Sequence, residues 1–521
     1  MPSQGMRIQP DWDKAILEKD RSFWFHLYGP DRTHHQKVEI SEGTLTPDIS
    51  DVDCCVSTSK TIRFRDNARR LQSTFQCPDF RFSSVHKQPR QPTLHLNSFD
   101  VNASGELALS ASSDGNVVLW ETKTSEIRRK FVGHASEVYC CRFFPSGLVV
   151  VTAGGDMQLR VWCALTGACP ATLRAGLGGV DVTSANPPTN SSTATVYEPG
   201  GHRAGVIDVD FVDRGRNIVA VDRGGWLRLW DVSTQIAISA MSVTPRSPGS
   251  TLQTNCSMEE APTCCVVKRR VSSDEATADA TVEFAENYYA LNWSNSLLWL
   301  KICLRAGLES TSTRATAVGV TDKLVAVGCG SHGRLLLFDI SSAHSRKRGP
   351  TLQLSLSCAS GAVTACAVSM ETGTSAGGVF NEFGLVAGGS SGEITCWDLR
   401  NYRTPLFTYE AYKYGVCALQ MVHFPAHSVD IAGGESLSVP AFTGIFSAFR
   451  DGRTVLRQMI EGGLSIDSDG YSRCLELTGP EAEAICGLRT HNIENASVWT
   501  GTYSAQFFGY RRIAVESLFN L

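Results

Sequence analysis

Two stretches of this chain fall into register when one is shifted by 42 residues. Gly105, Ser110, Asp114 and Trp120 make the first series, and Gly147, Thr152, Asp156 and Trp162 make the second. A fixed period of about 40 residues means one supersecondary unit used repeatedly, which limits the fold more than any composition does. The second copy shows what the unit is. Gly133-His134 open it, and an apolar run follows from Val138 to Phe144. A Pro145-Ser146-Gly147 turn leads to a second run, Leu148 to Ala153, and a Gly-Gly-Asp turn leads to a third that ends at Trp162. Short β-rich runs between Pro/Gly turns read as an antiparallel meander.

Gly-His at the start and Trp at the end are the marks of one WD40 propeller blade. His134, Thr152, Asp156 and Trp162 stand where such a blade carries a hydrogen-bond chain. Asp156 holds the turn before the third strand and faces His134, and the indole N–H of Trp162 closes the chain, since a buried Trp needs a partner. Ser110, Asp114 and Trp120 are the corresponding residues one copy earlier. These are structural roles, because a satisfied buried network rigidifies a blade.

Later copies degrade. The third has His202, Gly215 and Trp230-Asp231, displaced by 68 residues, with Gly224 in the Asp slot. Phe338, Trp397, Arg457 and Tyr510 take the Trp slot in four more, and His332, Ser391, Asp451 and Ser504 the Asp slot. Only the first two copies thus hold both Asp and Trp, so Asp156→Ala is expected to cost more than Asp451→Ala. The expected fold is all-β, a WD40 seven-bladed β-propeller over residues 93–521. Its insertions, about 175–200 and 241–313, read as disordered from their Ser, Thr, Gly and Pro content. The alternative is eight blades, with Thr263–Lys268 and the apparent hairpin Tyr288–Trp293 and Leu297–Cys303 forming a cryptic extra one. Residues 1–50 read as an N-terminal segment with one short helix, with Trp12, Ile16 and Leu17 on one face, followed by polar loop from 29 to 50. Residues 51–92 supply two short strands within Val52–Phe64, the candidate closing segment for the last blade, and a linker.

Composition narrows the function classes. Net charge is -4 with pI near 6.3, so no nucleic-acid partner is implied. No run of 18 apolar residues exists and the start is polar, so neither a membrane span nor a signal segment is expected. Eighteen cysteines include three adjacent pairs but no C-x-x-C, which argues against a metal site and for a reducing compartment. Gly328-Cys329-Gly330-Ser331-His332-Gly333 fits a phosphate-loop pattern, but a strand-like run follows where that loop needs a helix. No catalytic set, metal or cofactor is expected. The chain reads as a monomeric protein-binding module of the cytoplasm, with the nucleus as a second compartment.

Longer motifs carry a closer likeness. CCRFFPSGLVV (Cys140 to Val150), VDRGRN (Val212 to Asn217) and RIQPDW (Arg7 to Trp12) resemble the proteasomal ATPase-associated factor family. WDLRNYRTPL (Trp397 to Leu406) and LELTG (Leu475 to Gly479) fit more loosely. The resemblance implies an assembly chaperone of the proteasome regulatory particle that binds the C-terminal domain of a proteasomal ATPase subunit. The alternative is a WD40 scaffold or substrate receptor in another complex, such as a ubiquitin ligase. The partner face is expected on the inter-blade loops and second-to-third-strand turns, with Glu137, Asp222, Arg223, Trp226, Arg450 and Asp451 as its candidates. Arg269-Arg270-Val271-Ser272 makes Ser272 a candidate phosphosite.

Overall fold

The computed structural model describes most of residues 5–174, 200–242 and 384–519, with shorter pieces between. The longest stretches it leaves undescribed are 175–199, 243–261, 268–297, 301–323, 340–351 and 369–383. The described residues are almost entirely β. The period of 42 is one antiparallel sheet of four strands: Leu96–Val101, Leu107–Ser112, Val117–Glu121 and Ile127–Phe131 in blade 1. Blade 2 repeats it with Val138–Phe143, Val149–Gly154, Leu159–Cys163 and Ala171–Leu173. The repeated glycine has a backbone reason, since Gly105 (φ +72) and Gly147 (φ +70) both sit in the left-handed region at the first turn of their blade.

Blade 3 runs from Val206–Val212 through Asn217–Asp222 and Trp226–Asp231 to Ile236–Ser242. Blades 4 to 6 begin at Pro262–Val267, Val363–Val368 and Val416–Phe424, and blade 7 at Ile485–His491. The first strands of these seven sheets contact one another in order, and the seventh contacts the first, so the ring is closed. Alternation along the strands feeds two inter-blade cores at once. Cys140 packs into the cluster shared with blade 3 and its neighbour Cys141 into the cluster shared with blade 1.

Polar side chains also bridge the inner strands. Asp100 of blade 1 accepts from the Phe143 N–H of blade 2 at 2.7 Å and from Arg489 Nε of blade 7 at 2.6 Å. Arg142 of blade 2 pairs with Asp208 of blade 3 at 2.9 Å. Gln420 of blade 6 donates to Thr490 Oγ1 of blade 7 at 2.5 Å and accepts the Thr490 N–H at 3.1 Å. These charges are buried, and paired burial is the condition on which they can be there.

The chain before the ring departs from its sequence reading. The helix Trp12–Leu17 is present, but residues 33–41 form a strand rather than loop. Gly5–Ile8, Ser22–Tyr28, Thr33–Ser41 and Thr44–Pro47 build a four-stranded sheet. Its apolar face shares one core with the strands Val52–Thr58, Thr61–Asp66 and Leu71–Gln76, around Phe23, Phe25, Phe64 and Phe75. The sequence THHQKVEIS hides this strand because only Val38 of it is fully buried.

The closing strand is also not the expected one. Phe80–Phe82 pairs with Phe507–Tyr510 and completes blade 7. Val52–Thr58 and Thr61–Asp66 instead extend a different sheet through Leu71–Gln76, which lies parallel to the outer strand of blade 6, Ser472–Leu477. Trp12 Nε1 donates to Thr478 Oγ1 at 3.1 Å, Arg81 pairs with Asp13 at 2.7 Å, and Arg65 lies 4.0 Å over the Tyr471 ring. The N-terminal strands are thus fastened across blades 6 and 7.

The eighth-blade alternative loses its strands to blade 4. Pro262–Val267 and Leu298–Leu300 both pair with Leu324–Cys329, and Tyr288–Trp293 lies outside the described residues. Met241 belongs to the outer strand of blade 3 and is buried, not part of an insertion. Removing residues 1–84 would leave Phe507–Tyr510 as an unpaired edge and open the apolar contacts of blade 7, and such edges drive aggregation. The expected outcome, read by size exclusion and soluble yield, is aggregated chain; a soluble monomer melting with the full chain would contradict this account of closure.

Candidate partner-binding face

The blade 2 network forms as its residues imply. His134 Nδ1 is 2.8 Å from Asp156 Oδ2, and His134 Nε2 is 2.7 Å from Thr152 Oγ1. The Trp162 Nε1–H donates to the same hydroxyl at 2.8 Å. Trp can only donate, so Thr152 accepts from Trp162 and gives its proton to His134, whose Nδ1–H then points at Asp156. Burial works against charge on Asp156, but the His134 hydrogen bond and the backbone N–H groups of Ala135 and Gln158 hold its carboxyl below the ordinary range. This chain ties the inter-blade loop at His134 to the turn at Asp156, so both sit rigidly at one end of the ring.

Blade 1 keeps the Trp120 Nε1 to Ser110 Oγ bond at 3.1 Å. Asp114 there caps its own turn, accepting from Ser112 Oγ at 2.5 Å and the Asn116 N–H at 3.1 Å. In blade 3, Ala220 pairs with Arg228 as Thr152 pairs with Arg160, so an alanine holds the hydroxyl slot. The network survives by rearrangement. Trp230 Nε1 donates directly to His202 Nε2 at 3.3 Å, and His202 Nδ1 meets Asp222 Oδ2 at 2.8 Å. The acid is therefore Asp222, two residues before the expected Gly224. Burial, opposed by Asp222, lowers the His202 pKa, which keeps the ring neutral with Nδ1 protonated.

Asp222 was expected on the partner face, but it is 0 % exposed and acts from below. Its second oxygen accepts the Trp226 N–H at 3.0 Å, so one carboxylate fixes the turn that displays Arg223 and Trp226. Arg223 is exposed, with its guanidinium 4.3 Å over the Tyr139 ring. Trp226 is half-buried above Arg228, which lies 5.5 Å from its ring. Glu137 is exposed two residues from Tyr139, and its charge, with burial acting first, raises the Tyr503 pKa. Tyr503 in turn stacks on His95 at 4.1 Å. The structure thus places Arg223 against Tyr139 and Trp226 on the same turn, while Arg450 is exposed on the corresponding turn of blade 6.

Asp451 is not available to a partner. It is 6 % exposed, with Arg453 Nε at 2.7 Å and Arg7 of the N-terminal sheet at 3.9 Å. Arg453 is itself buried and lies 3.8 Å over the Tyr412 ring. Asp451→Ala would remove a buried ion-pair partner of Arg453, a cost that the expected ranking below Asp156→Ala does not count. Sequence reading missed Tyr139, Tyr503 and His95; each sits in or beside a turn of the expected class, but nothing in its neighbours marks it. Ser272 lies outside the described residues. The pattern at 328–333 is bounded by the strands Leu324–Cys329 and Arg334–Asp339, so no helix follows it. No described helix is long and apolar enough to cross a membrane.

Comparison with known proteins covers part of the chain. The family "WD domain, G-beta repeat" matches residues 86–121, 125–163 and 193–231. Proteasomal ATPase-associated factor 1 of Gallus gallus is 29% identical over 149 residues, 27% of this chain and 36% of that protein. The Homo sapiens protein of the same name gives the same figures. The 26S proteasome regulatory subunit RPN14 of Saccharomyces cerevisiae is 28% identical over 105 residues, 20% of this chain and 19% of that protein. The chain therefore spans well under half of the relatives it matches.

Two outcomes follow. Asp451→Ala breaks a buried ion pair with Arg453 and should destabilise by about 3–5 kcal/mol in urea unfolding, while Asp156→Ala and Asp222→Ala each leave a neutral histidine N–H without its acceptor and should cost about 1–3 kcal/mol; a change inside the roughly 0.5 kcal/mol of a surface substitution would contradict the assignment. His202 has a folded-state pKa below the ordinary 6.5, so its contribution to stability is whole above pH 6.5 and is lost as pH falls beneath it. Wild type should lose stability more steeply below pH 6.5 than His202→Gln; parallel curves would show that His202 does not carry this dependence.

Proposed function

We propose that this chain, which belongs to the WD40-repeat proteins, is a non-catalytic assembly factor of the proteasome regulatory particle. It holds a proteasomal ATPase subunit by its C-terminal domain and leaves before the mature particle forms. The observation that carries this reading is the similarity to proteins named as a proteasomal ATPase-associated factor and as a 26S proteasome regulatory subunit. The face around Tyr139 is suited to the task. Arg, Trp and Tyr are the residues that dominate binding energy at interfaces, and here Arg223 and Trp226 sit on a turn pinned by Asp222. A pinned turn loses little entropy when a partner docks. The compartment this reading implies is the cytoplasm, with the nucleus.

Native purification of the tagged full chain, followed by mass spectrometry, tests it. Proteasomal ATPases should be recovered without mature core particle, and Trp226→Ala with Arg223→Glu should reduce that recovery by about tenfold or more, as loss of central anchors does. Recovery of cullin adaptors instead, or of no ATPase, would overturn the reading.

A further inference from the structure

The opposite end of the ring carries a second feature. A cleft of about 700 Å³ lies where the ring closes. Its walls come from four places: the N-terminal hairpin at Thr58–Thr61, the first turn of blade 1 at Ser104–Glu106, blade 7 at His491 and Ser497, and the C-terminal segment from Arg511. The volume is that of a small-molecule site rather than a protein interface. Its lining is rich in hydroxyls and sets the cations Lys60, Lys123, Arg511 and Arg512 against the carboxylates Asp79, Glu106 and Glu516.

The charges there are unequally satisfied. Asp79 is taken up by an ion pair with Lys60 and by the Arg511 N–H at 2.6 Å. Glu106 faces Lys123 at 3.7 Å. The guanidinium groups of Arg511 and Arg512 meet no carboxylate among the described residues. The Arg511 guanidinium carbon lies 4.5 Å over the Phe80 ring of the closing strand. The backbone beneath both is fixed by Gln76, 2 % exposed, which donates to the carbonyls of Arg511 at 3.4 Å and Arg512 at 3.3 Å and accepts the Ala514 N–H at 3.0 Å.

Two further details point the same way. Arg512 sits at φ +50, a conformation that costs a non-glycine residue about 1 kcal/mol or more and suits glycine better. His491 has its Nδ1 buried with no hydrogen-bond partner. Burial, and then the charge of Arg511, push its pKa down to about 4, so the ring is neutral at pH 7. A Cβ on Gly105 would collide with the His491 ring, so the glycine is what leaves room for it.

We propose that this cleft binds a small oxyanion with two or more negative charges, carried on phosphoryl or carboxylate groups. Arg511 and Arg512 are its clamps, because the planar guanidinium fork fits both groups bidentately. His491 supplies a neutral ring nitrogen at the wall. An occupant touches the N-terminal hairpin, blade 1, blade 7 and the C-terminal segment together, so it stabilises the closed ring by mass action. This site is independent of the partner face.

The test is calorimetric titration of the full chain with tripolyphosphate and, separately, with citrate, alongside thermal melts. Wild type should bind at least one of them and melt higher in its presence; the anion preferred tells phosphoryl from carboxylate. Arg512→Gly removes a clamp while relieving the backbone, so it should melt at or above wild type without ligand yet bind about tenfold or more weakly. Arg511→Gln should weaken binding by a similar factor. No heat with either anion, or Arg512→Gly binding as wild type does, would overturn the proposal.

Discussion

The pairing of Phe80–Phe82 with Phe507–Tyr510 is the contact on which the rest depends. In a ring of blades each unit packs only on its neighbours, so the last joint decides whether the others hold. Here it is made three times over. Phe80 and Phe82 both stack on Trp499. Arg489 reaches Asp100 across the same joint from the inner strands. The strand just before, Leu71–Gln76, lies along blade 6, so two successive strands latch onto two successive blades. The N-terminal sheet is thereby part of the closure and not an appendage to it.

Rigidity at the binding end comes from the turn networks of blades 2 and 3. The His134–Asp156 and His202–Asp222 pairs each join an inter-blade loop to a second-to-third-strand turn. The loops on the partner face are therefore tied to the buried Trp162 and Trp230. Their side chains can be polar and exposed without being mobile, which is what preorganised recognition requires. Asp222 shows the economy of this arrangement, since the acid that satisfies His202 also fixes Trp226.

What was legible in the sequence follows from the same physics. The 42-residue register exposed blades 1 and 2 because the backbone demands glycine at the first turn and hydrogen bonding demands a partner for each Trp. Blade 3 was misread by two residues, because replacing the hydroxyl by Ala220 lets His202 reach Trp230 directly and moves the acid to Asp222. The closing strand was misassigned for a different reason. Val52–Phe64 has the stronger apolar alternation, and alternation reports burial, not which sheet does the burying. Three residues, Phe80–Phe82, carry too little pattern to compete. Asp100, Arg142, Asp208 and Arg489 sat unnoticed inside apolar runs, although a charged residue in such a run already implies a buried partner. Of the partner-face residues, those in turns were placed correctly at the surface only where the turn did not need their charge. Glu137, Arg223 and Arg450 are exposed, whereas Asp222 and Asp451 are consumed by the fold.

Hydrogen exchange of the full chain, followed by peptide-level mass spectrometry, tests the closure most directly. Amides of Phe80–Phe82 and Leu71–Gln76 should exchange with those of Phe507–Tyr510 and Ser472–Leu477, on the slow timescale of opening the ring. Fast exchange of Phe80–Phe82 while Phe507–Tyr510 stays protected would show that another segment covers blade 7, and would contradict the account.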